Sequence, residues 1–338
     1  MIDQLEIVDS SHQPKYIQLA EEIIRQIDEG KLMVNQRLPS VNQLSKELNI
    51  SRETVFKALN HLSETGIVRS ANRRGYFVQK VGIRPRLRIF LLLDKMTAFK
   101  EELYHSFHEA ISEHGEVDVY FHHHNFSVFK SLITENLNNY THFVIVTFLK
   151  EDPSPVLNLI PPEKRIILDF KESGLTGDYT MIYQDFARNV FDALTEAQQL
   201  LNKYKKLILV VPNHIFHFAA VETGFTRFLS TSEFPGEIAT EICEKDFKPG
   251  NVYFSLRATD DRDMVQVIKL CRKYHFSLGR HIGLITYNDT DVKEILEGGI
   301  TTVAVDFKMM GTLTAQKILN KIRDVEAIPA KLILRNSL

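Results

Sequence analysis

Ser51-Arg52-Glu53-Thr54 places an arginine directly after a residue suited to cap a helix, so its guanidinium stands on the first exposed turn. A planar guanidinium can clamp a phosphate or the edge of a guanine, and a helix N-terminus favours anions by itself. A second group of residues has different chemistry. Asp94, Asp169, Gln184-Asp185 and Asn288-Asp289 end strand-like runs and Asp260-Asp261 lie beyond another, with Phe99, Tyr183, Phe216 and Tyr287 nearby. Carboxylates and amides accept hydrogen bonds from hydroxyls, and flat rings cover the C–H faces of a sugar. Taken singly, each Asp fits a helix N-cap equally well. A third group, His122-His123-His124 with His105 and His108, has the residue type of a metal site. Neighbours on a strand point to opposite faces, so at most two of the three could ligate one ion, and a strand end entering a loop is the better reading. No GxGxxG, Walker A, GxSxG or HExxH pattern occurs. No catalytic residue, no metal and no cofactor is expected.

The first group needs a scaffold, and the local pattern supplies one. After Pro14, the residues Tyr16, Ala20, Ile23, Ile24 and Ile27 repeat at helical spacing, and Gly30 closes the segment. Ser40 with Gln43 three residues on is a capping-box pattern that opens a short helix through Leu44 and Leu48. Ser51 caps the next helix, whose apolar face is Val55, Ala58, Leu59 and Leu62. Two short helices joined by a tight turn predict a helix-turn-helix, the second helix entering the major groove. IVRSANRRGYFVQ then alternates around a basic turn, Ser70 to Gly75, which reads as a hairpin wing with Arg73 and Arg74 at its tip. A three-helix interaction domain with solvated arginines is the alternative.

Charge supports the nucleic-acid reading. Residues 1–88 hold 14 Lys+Arg against 10 Asp+Glu, and the remainder holds 27 against 33. A basic small end on an acidic large end suggests that only the first part meets a polyanion. The 338 residues exceed one domain of roughly 100–200 and predict two. The boundaries expected are 1–80, a basic Pro85-containing linker at 81–88, and 89–338. No stretch approaches the roughly 18 uncharged apolar residues of a membrane span. The acidic, amphipathic start is not that of a signal peptide, and two cysteines, Cys243 and Cys271, make no disulfide framework. A reduced, cytoplasmic protein is expected.

Beyond the linker, strand-like runs alternate with helix-like ones. Strands are expected at 88–94, 117–123, 142–148, 165–170, 180–184, 206–211, 252–256, 282–287 and 301–305. Helices are expected over 101–114, 128–138, 188–203, 221–229, 264–274 and 309–323. Such alternation argues for parallel sheets covered by helices, as one barrel or two doubly wound lobes. Either way ligand chemistry belongs at the strand C-terminal ends.

The segments RLPS, SRETVFKALNHL, Gly66 and GYFV, in order and at the right spacing, resemble the winged-helix domain of the GntR family of bacterial transcription regulators over about residues 10–79. The resemblance implies DNA contacts at Arg37, Ser40, Ser51, Arg52, Thr54, Arg74 and Gly75. The family often has Arg at the positions of Asn42 and Phe56 and Gly at that of Arg73, and Lys57 and Arg73 would make up the missing charge. Residues 88–338 are similar to the effector domain of the LacI family, with the two-lobed periplasmic sugar-binding-protein fold. ITYNDT (285–290) and TTVAVDFKMMG (301–311) are its best anchors. That resemblance implies ligand positions at Asp94, Phe99, Asp260, Asn288 and Phe307. A family Arg would fall on Val221, and His214 or His217 would supply a replacement donor.

The function expected is a sugar-responsive transcription regulator, a repressor acting as a homodimer, since one recognition helix reads only a few base pairs. Its partners would be operator DNA and a small carbohydrate, with no membrane. The lack of an Arg/Lys cluster in the cleft favours a neutral sugar, with arabinose or fucose as first trials. The alternatives are a DNA-binding domain fused to an aminotransferase-like enzyme, and a DNA-binding protein without a ligand.

Overall fold

The computed structural model describes residues 14–71, 74–79, 87–211, 219–256 and 261–338. The chain divides into two units, the first ending at Arg86 and the second running from Leu87 to Leu338.

In the first unit, α1 (Lys15–Asp28) ends where Gly30, at φ 70, takes the left-handed conformation that stops a helix. Next, α2 (Val41–Glu47) opens on a complete capping box: Gln43 N donates to Ser40 Oγ at 3.2 Å, and Ser40 N donates to Gln43 Oε1. Then α3 (Arg52–Glu64) turns Val55, Ala58, Leu59 and Leu62 inward onto Leu19, Ile23 and Leu44. Each of these side chains other than Ala58 contributes about 1.5–3 kcal/mol by leaving water. The wing is β1 (Val68–Ala71) and β2 (Gly75–Val78), antiparallel, with Val68 opposite Val78. The segment around Arg37 extends it, because Leu38 N donates to Tyr76 O and Val78 N to Gln36 O.

The second unit opens with β3 (Leu87–Leu93), so Leu87 and Arg88 are strand residues rather than the end of a linker. There follow α4 (Ala98–Ile111), β4 (Gly115–Phe121), α5 (Phe126–Asn136), β5 (His142–Val146), α6 (Ser154–Leu157), β6 (Arg165–Asp169) and β7 (Thr180–Gln184). After them come α7 (Phe186–Glu196), α8 (Gln198–Leu201), β8 (Lys206–Val210), α9 (Ala219–Ser232), β9 (Gly236–Ala239), β10 (Asn251–Ser255) and α10 (Arg262–Tyr274). The unit ends with β11 (Gly283–Tyr287), α11 (Asp291–Ile295), β12 (Thr301–Val305), α12 (Phe307–Leu319), β13 (Val325–Ile328) and β14 (Ala330–Ile333).

These strands form two sheets and not one barrel. One has the order β13-β7-β6-β5-β3-β4 and is parallel throughout. The other has the order β14-β12-β11-β10-β8-β9, with β14 antiparallel to β12. Each lobe is doubly wound, and its order reverses at the first strand, between β3 and β5 and between β8 and β10.

The chain passes between lobes three times, after β7, after β12 and between β13 and β14. The crossing helices pack on the lobe they enter. Thus α7 lies on α9, where a Cβ on Gly224 would sit 2.2 Å from the Ala187 carbonyl oxygen. Likewise α12 lies on α4, where a Cβ on Gly311 would sit 2.3 Å from the Leu103 carbonyl oxygen. One continuous core therefore includes residues of both lobes, among them Leu91, Val144, Phe225 and Ile285. Among the described residues no helix is long and apolar enough to cross a membrane.

Candidate functional site

The exposed face of the first unit gathers most of the expected polyanion contacts. Ser51 Oγ accepts from Thr54 N at 3.1 Å and lies 2.8 Å from Thr54 Oγ1, fixing the first turn of α3. Arg52 and Lys57 stand exposed on that helix, Lys57 3.5 Å from Glu53 one turn back. Ser40 is exposed at the start of α2. Gly75, at φ 95, lets the wing turn, and the Arg37 guanidinium lies 3.4 Å from where its Cβ would be. The wing is held against α3 by a hydrogen bond from the Tyr76 hydroxyl to Asn60 Oδ1 at 3.1 Å. Arg74 is exposed beside Gly75, and Arg73 lies outside the described residues. Phe56 is half exposed on α3, where a basic residue would have added charge. Guanidiniums and hydroxyls so disposed can bind phosphates, with Arg52 placed to reach a base edge.

In the second unit the C-terminal edge of the first lobe holds a cluster of buried polar groups. Asp94 follows β3 at the reversal of strand order, 1% exposed and ion-paired with Lys100 of α4. Its other oxygen lies 3.7 Å from His124 Nε2, while His124 Nδ1 is 2.9 Å from the Phe148 carbonyl. Asp169 ends β6 at φ 74, in a three-residue turn in which Phe170 N donates to Leu168 O at 2.8 Å. This left-handed backbone is costly for a residue with a side chain, and such strain gathers at functional sites. Burial pushes the Asp169 carboxyl up, the nearby Asp94 charge adds to that, and Lys100 and a hydrogen bond from Gln184 oppose it. The turn presents Phe170, which stacks on Phe148 at 4.8 Å and 3° and continues to Phe186 and Tyr287. A wall of stacked rings beside buried acceptors can hold a ring with hydroxyls.

The three histidines have separate tasks. His122 is buried with Nε2 3.1 Å from the Val146 carbonyl, and burial holds it down at about 4. His123 and His124 follow in left-handed conformation beyond the strand end. Among the described residues no three His, Cys, Asp or Glu side chains gather as metal ligands would.

At the second lobe's edge, Asn288 follows β11 at φ 57, and its Oδ1 is enclosed without a partner among the described residues. Lys293 lies beneath it, fully buried. Its ammonium donates to the carbonyls of Tyr287 and Asn288 and lies 3.4 Å from Asp261. Asp260, His214, Phe216 and His217 lie outside the described residues. Val221 is buried in α9 and brings no polar group. Phe99 and Phe307, on the first turns of α4 and α12, face each other at 4.8 Å and are 7% and 2% exposed.

Of the strand-end carboxylates, Asp289 accepts from both Nη atoms of Arg335 at 2.7 Å and Asp261 lies beside Lys293, while four others divide into two kinds. Asp185 and Asp306 cap α7 and α12, accepting from Arg188 N and Met309 N. Asp94 and Asp169 cap nothing and belong to the buried cluster. Sequence reasoning singled out Asp94, Asp169 and Asp185 but not Asp306, and it missed Lys100, Asn189 and Lys293, which sit on helices and carry no local signature.

Residues 15–78 match the bacterial regulatory proteins of the gntR family. The chain is 33% identical over 90 residues to the HTH-type transcriptional repressor NagR of Bacillus subtilis (strain 168), 27% of this chain and 35% of that protein. It is 36% identical over 92 residues to the mannosyl-D-glycerate transport/metabolism system repressor MngR of Escherichia coli (strain K12), 27% of this chain and 36% of that protein. The matches therefore span about a third of these curated relatives. A LacI family transcriptional regulator from Enterococcus faecium, solved with bound ribose, superimposes with a TM-score of 0.60 at 18% identity, over 74% of this chain and 98% of that one. Residues 15–78 are therefore a helix-turn-helix domain of the GntR family, and the two lobes that follow have the LacI-type, periplasmic-binding-protein-like fold.

Proposed function

We propose that this chain is a sugar-responsive transcription repressor, working in the cytoplasm as a homodimer and without catalytic activity. One observation carries the reading. A basic helix-turn-helix with an exposed arginine on its capped N-terminal turn is joined, in one chain, to two lobes whose sheet edges hold buried carboxylates beside stacked rings. Two relatives of the first unit, NagR and MngR, are repressors by name, and a relative in fold of the second was solved with bound ribose. In this reading Arg37, Ser40, Ser51, Arg52, Thr54, Lys57, Arg73, Arg74 and Gly75 contact operator DNA. Asp94, Phe99, His217, Asp260, Asn288 and Phe307 belong to the sugar site, now joined by Asp169 and His124. The sugar is a neutral one, with pentoses and deoxyhexoses such as arabinose and fucose tried first.

Screening monosaccharides and their phosphates by thermal shift tests the reading. A ligand at 100 times its dissociation constant adds about 2.7 kcal/mol to stability and raises the midpoint. No shift with any member of the panel would contradict the proposal.

A further inference from the structure

A chain of hydrogen bonds runs in one direction through the crossing point of the two lobes. Ala330 N donates to Asn189 Oδ1 at 3.3 Å, and Asn189 Nδ2 to the Tyr287 hydroxyl at 3.5 Å. The Tyr287 hydroxyl donates to Gln184 Oε1 at 3.2 Å, and Gln184 Nε2 to Asp169 Oδ1 at 2.5 Å. The direction of the chain is set at its Ala330 end. A backbone N–H only donates, so Asn189 must offer Ala330 its oxygen and turn its NH2 toward Tyr287. That leaves the Tyr287 hydroxyl a single arrangement, accepting from Asn189 and donating to Gln184. Aligned donors polarise one another, and a buried chain with every member satisfied specifies one geometry. All four side chains are at least nine-tenths buried.

The chain also crosses between lobes. Asp169 ends a strand of the first lobe, and Gln184 is the last residue before the first crossover. Asn189 lies on the crossing helix α7, Tyr287 ends β11 in the second lobe, and Ala330 follows the third crossover. The Tyr287 ring packs on Phe186 at 5.8 Å, and burial keeps its hydroxyl protonated and able to donate.

We propose that Tyr287 is a positioning residue: through Gln184 it holds the Asp169 carboxylate at the cleft, so that Asp169 keeps its place only in the present arrangement of the lobes. Separating the lobes at Tyr287 would strand the Gln184 oxygen and leave the Tyr287 hydroxyl without its acceptor, both groups being buried. A ligand that engages Asp169 therefore acts on the lobe arrangement through this chain. The ligand in that statement rests on the proposed sugar-binding reading, whereas the coupling of Tyr287 to lobe arrangement does not.

The test uses the full chain with no ligand, so its outcome is separate from that of the sugar screen. Spin labels at Lys130→Cys on α5 and Lys269→Cys on α10, both exposed, report the distance between lobes in a Cys243→Ser background, Cys271 being buried. The parent is expected to give one separation. Tyr287→Phe, which keeps the ring and removes the hydroxyl, is expected to add a displaced population of about a tenth of the molecules or more. Should that variant not fold, Gln184→Met removes the acceptor of the same bond between lobes and is read the same way. A distance distribution unchanged from the parent, even with a lowered melting temperature, would reduce the chain to local packing and overturn the proposal.

Discussion

Arg52 has the clearest single-residue consequence. It is exposed on a turn whose geometry Ser51 fixes through its own side chain, so its removal subtracts a contact without disturbing the helix. Arg52→Ala is expected to weaken operator binding by about 1–3 kcal/mol, measured by fluorescence anisotropy at matched salt. Unchanged affinity would move the recognition surface elsewhere. His122 has a consequence for stability. It is held down at about 4 by burial, against 6.5 ordinarily. As pH falls the unfolded chain takes up this proton first, so stability present above 6.5 is lost progressively toward 4, by up to about 3 kcal/mol. His142 shifts in the same direction. The urea midpoint should therefore fall between about pH 7.5 and about pH 4.5, and less so in His122→Gln. Equal falls in both proteins would exclude His122 as a source. At this scale the sequence was informative where chemistry is local. Ser40, Ser51 and Arg52 are read from neighbours three residues away, whereas the Gln184–Tyr287 contact joins residues 103 apart and no spacing reveals it.

Among the elements, legibility followed burial and length. The strands at 180–184 and 301–305 were read at their observed bounds, because short uncharged runs rich in β-branched, apolar and aromatic residues signal a strand buried on both faces. By contrast β9, β13 and β14 were missed. Each has four residues and lies at a sheet edge, and only Pro329 separates the last two, so neither length nor pattern marks them. Their absence from the reading hid the third crossover. The α4–α12 contact makes a further prediction. A methyl on Gly311 would meet the Leu103 carbonyl at 2.3 Å and Ser106 Oγ at 2.2 Å, and backbone cannot rotate away. Gly311→Ala is expected to cost about 1–3 kcal/mol in chemical denaturation. A variant as stable as the parent would mean that these helices separate freely.

For the molecule as a whole, the two-lobed, doubly wound plan followed from the alternation of strands and helices together with the resemblance at 285–311. The choice between a barrel and two lobes did not follow from alternation alone, since both satisfy it. The central claim is that a sugar between the lobes sets the affinity of the first unit for DNA. By linkage, a sugar that changes operator affinity by some factor must have its own affinity changed by operator to the same degree. The most direct measurement takes a DNA sequence selected by the chain from a random pool and titrates it with and without the monosaccharide found by thermal shift. The claim predicts at least about a fivefold change in operator affinity on saturation with the sugar. A sugar that binds, yet leaves operator affinity the same, would contradict it.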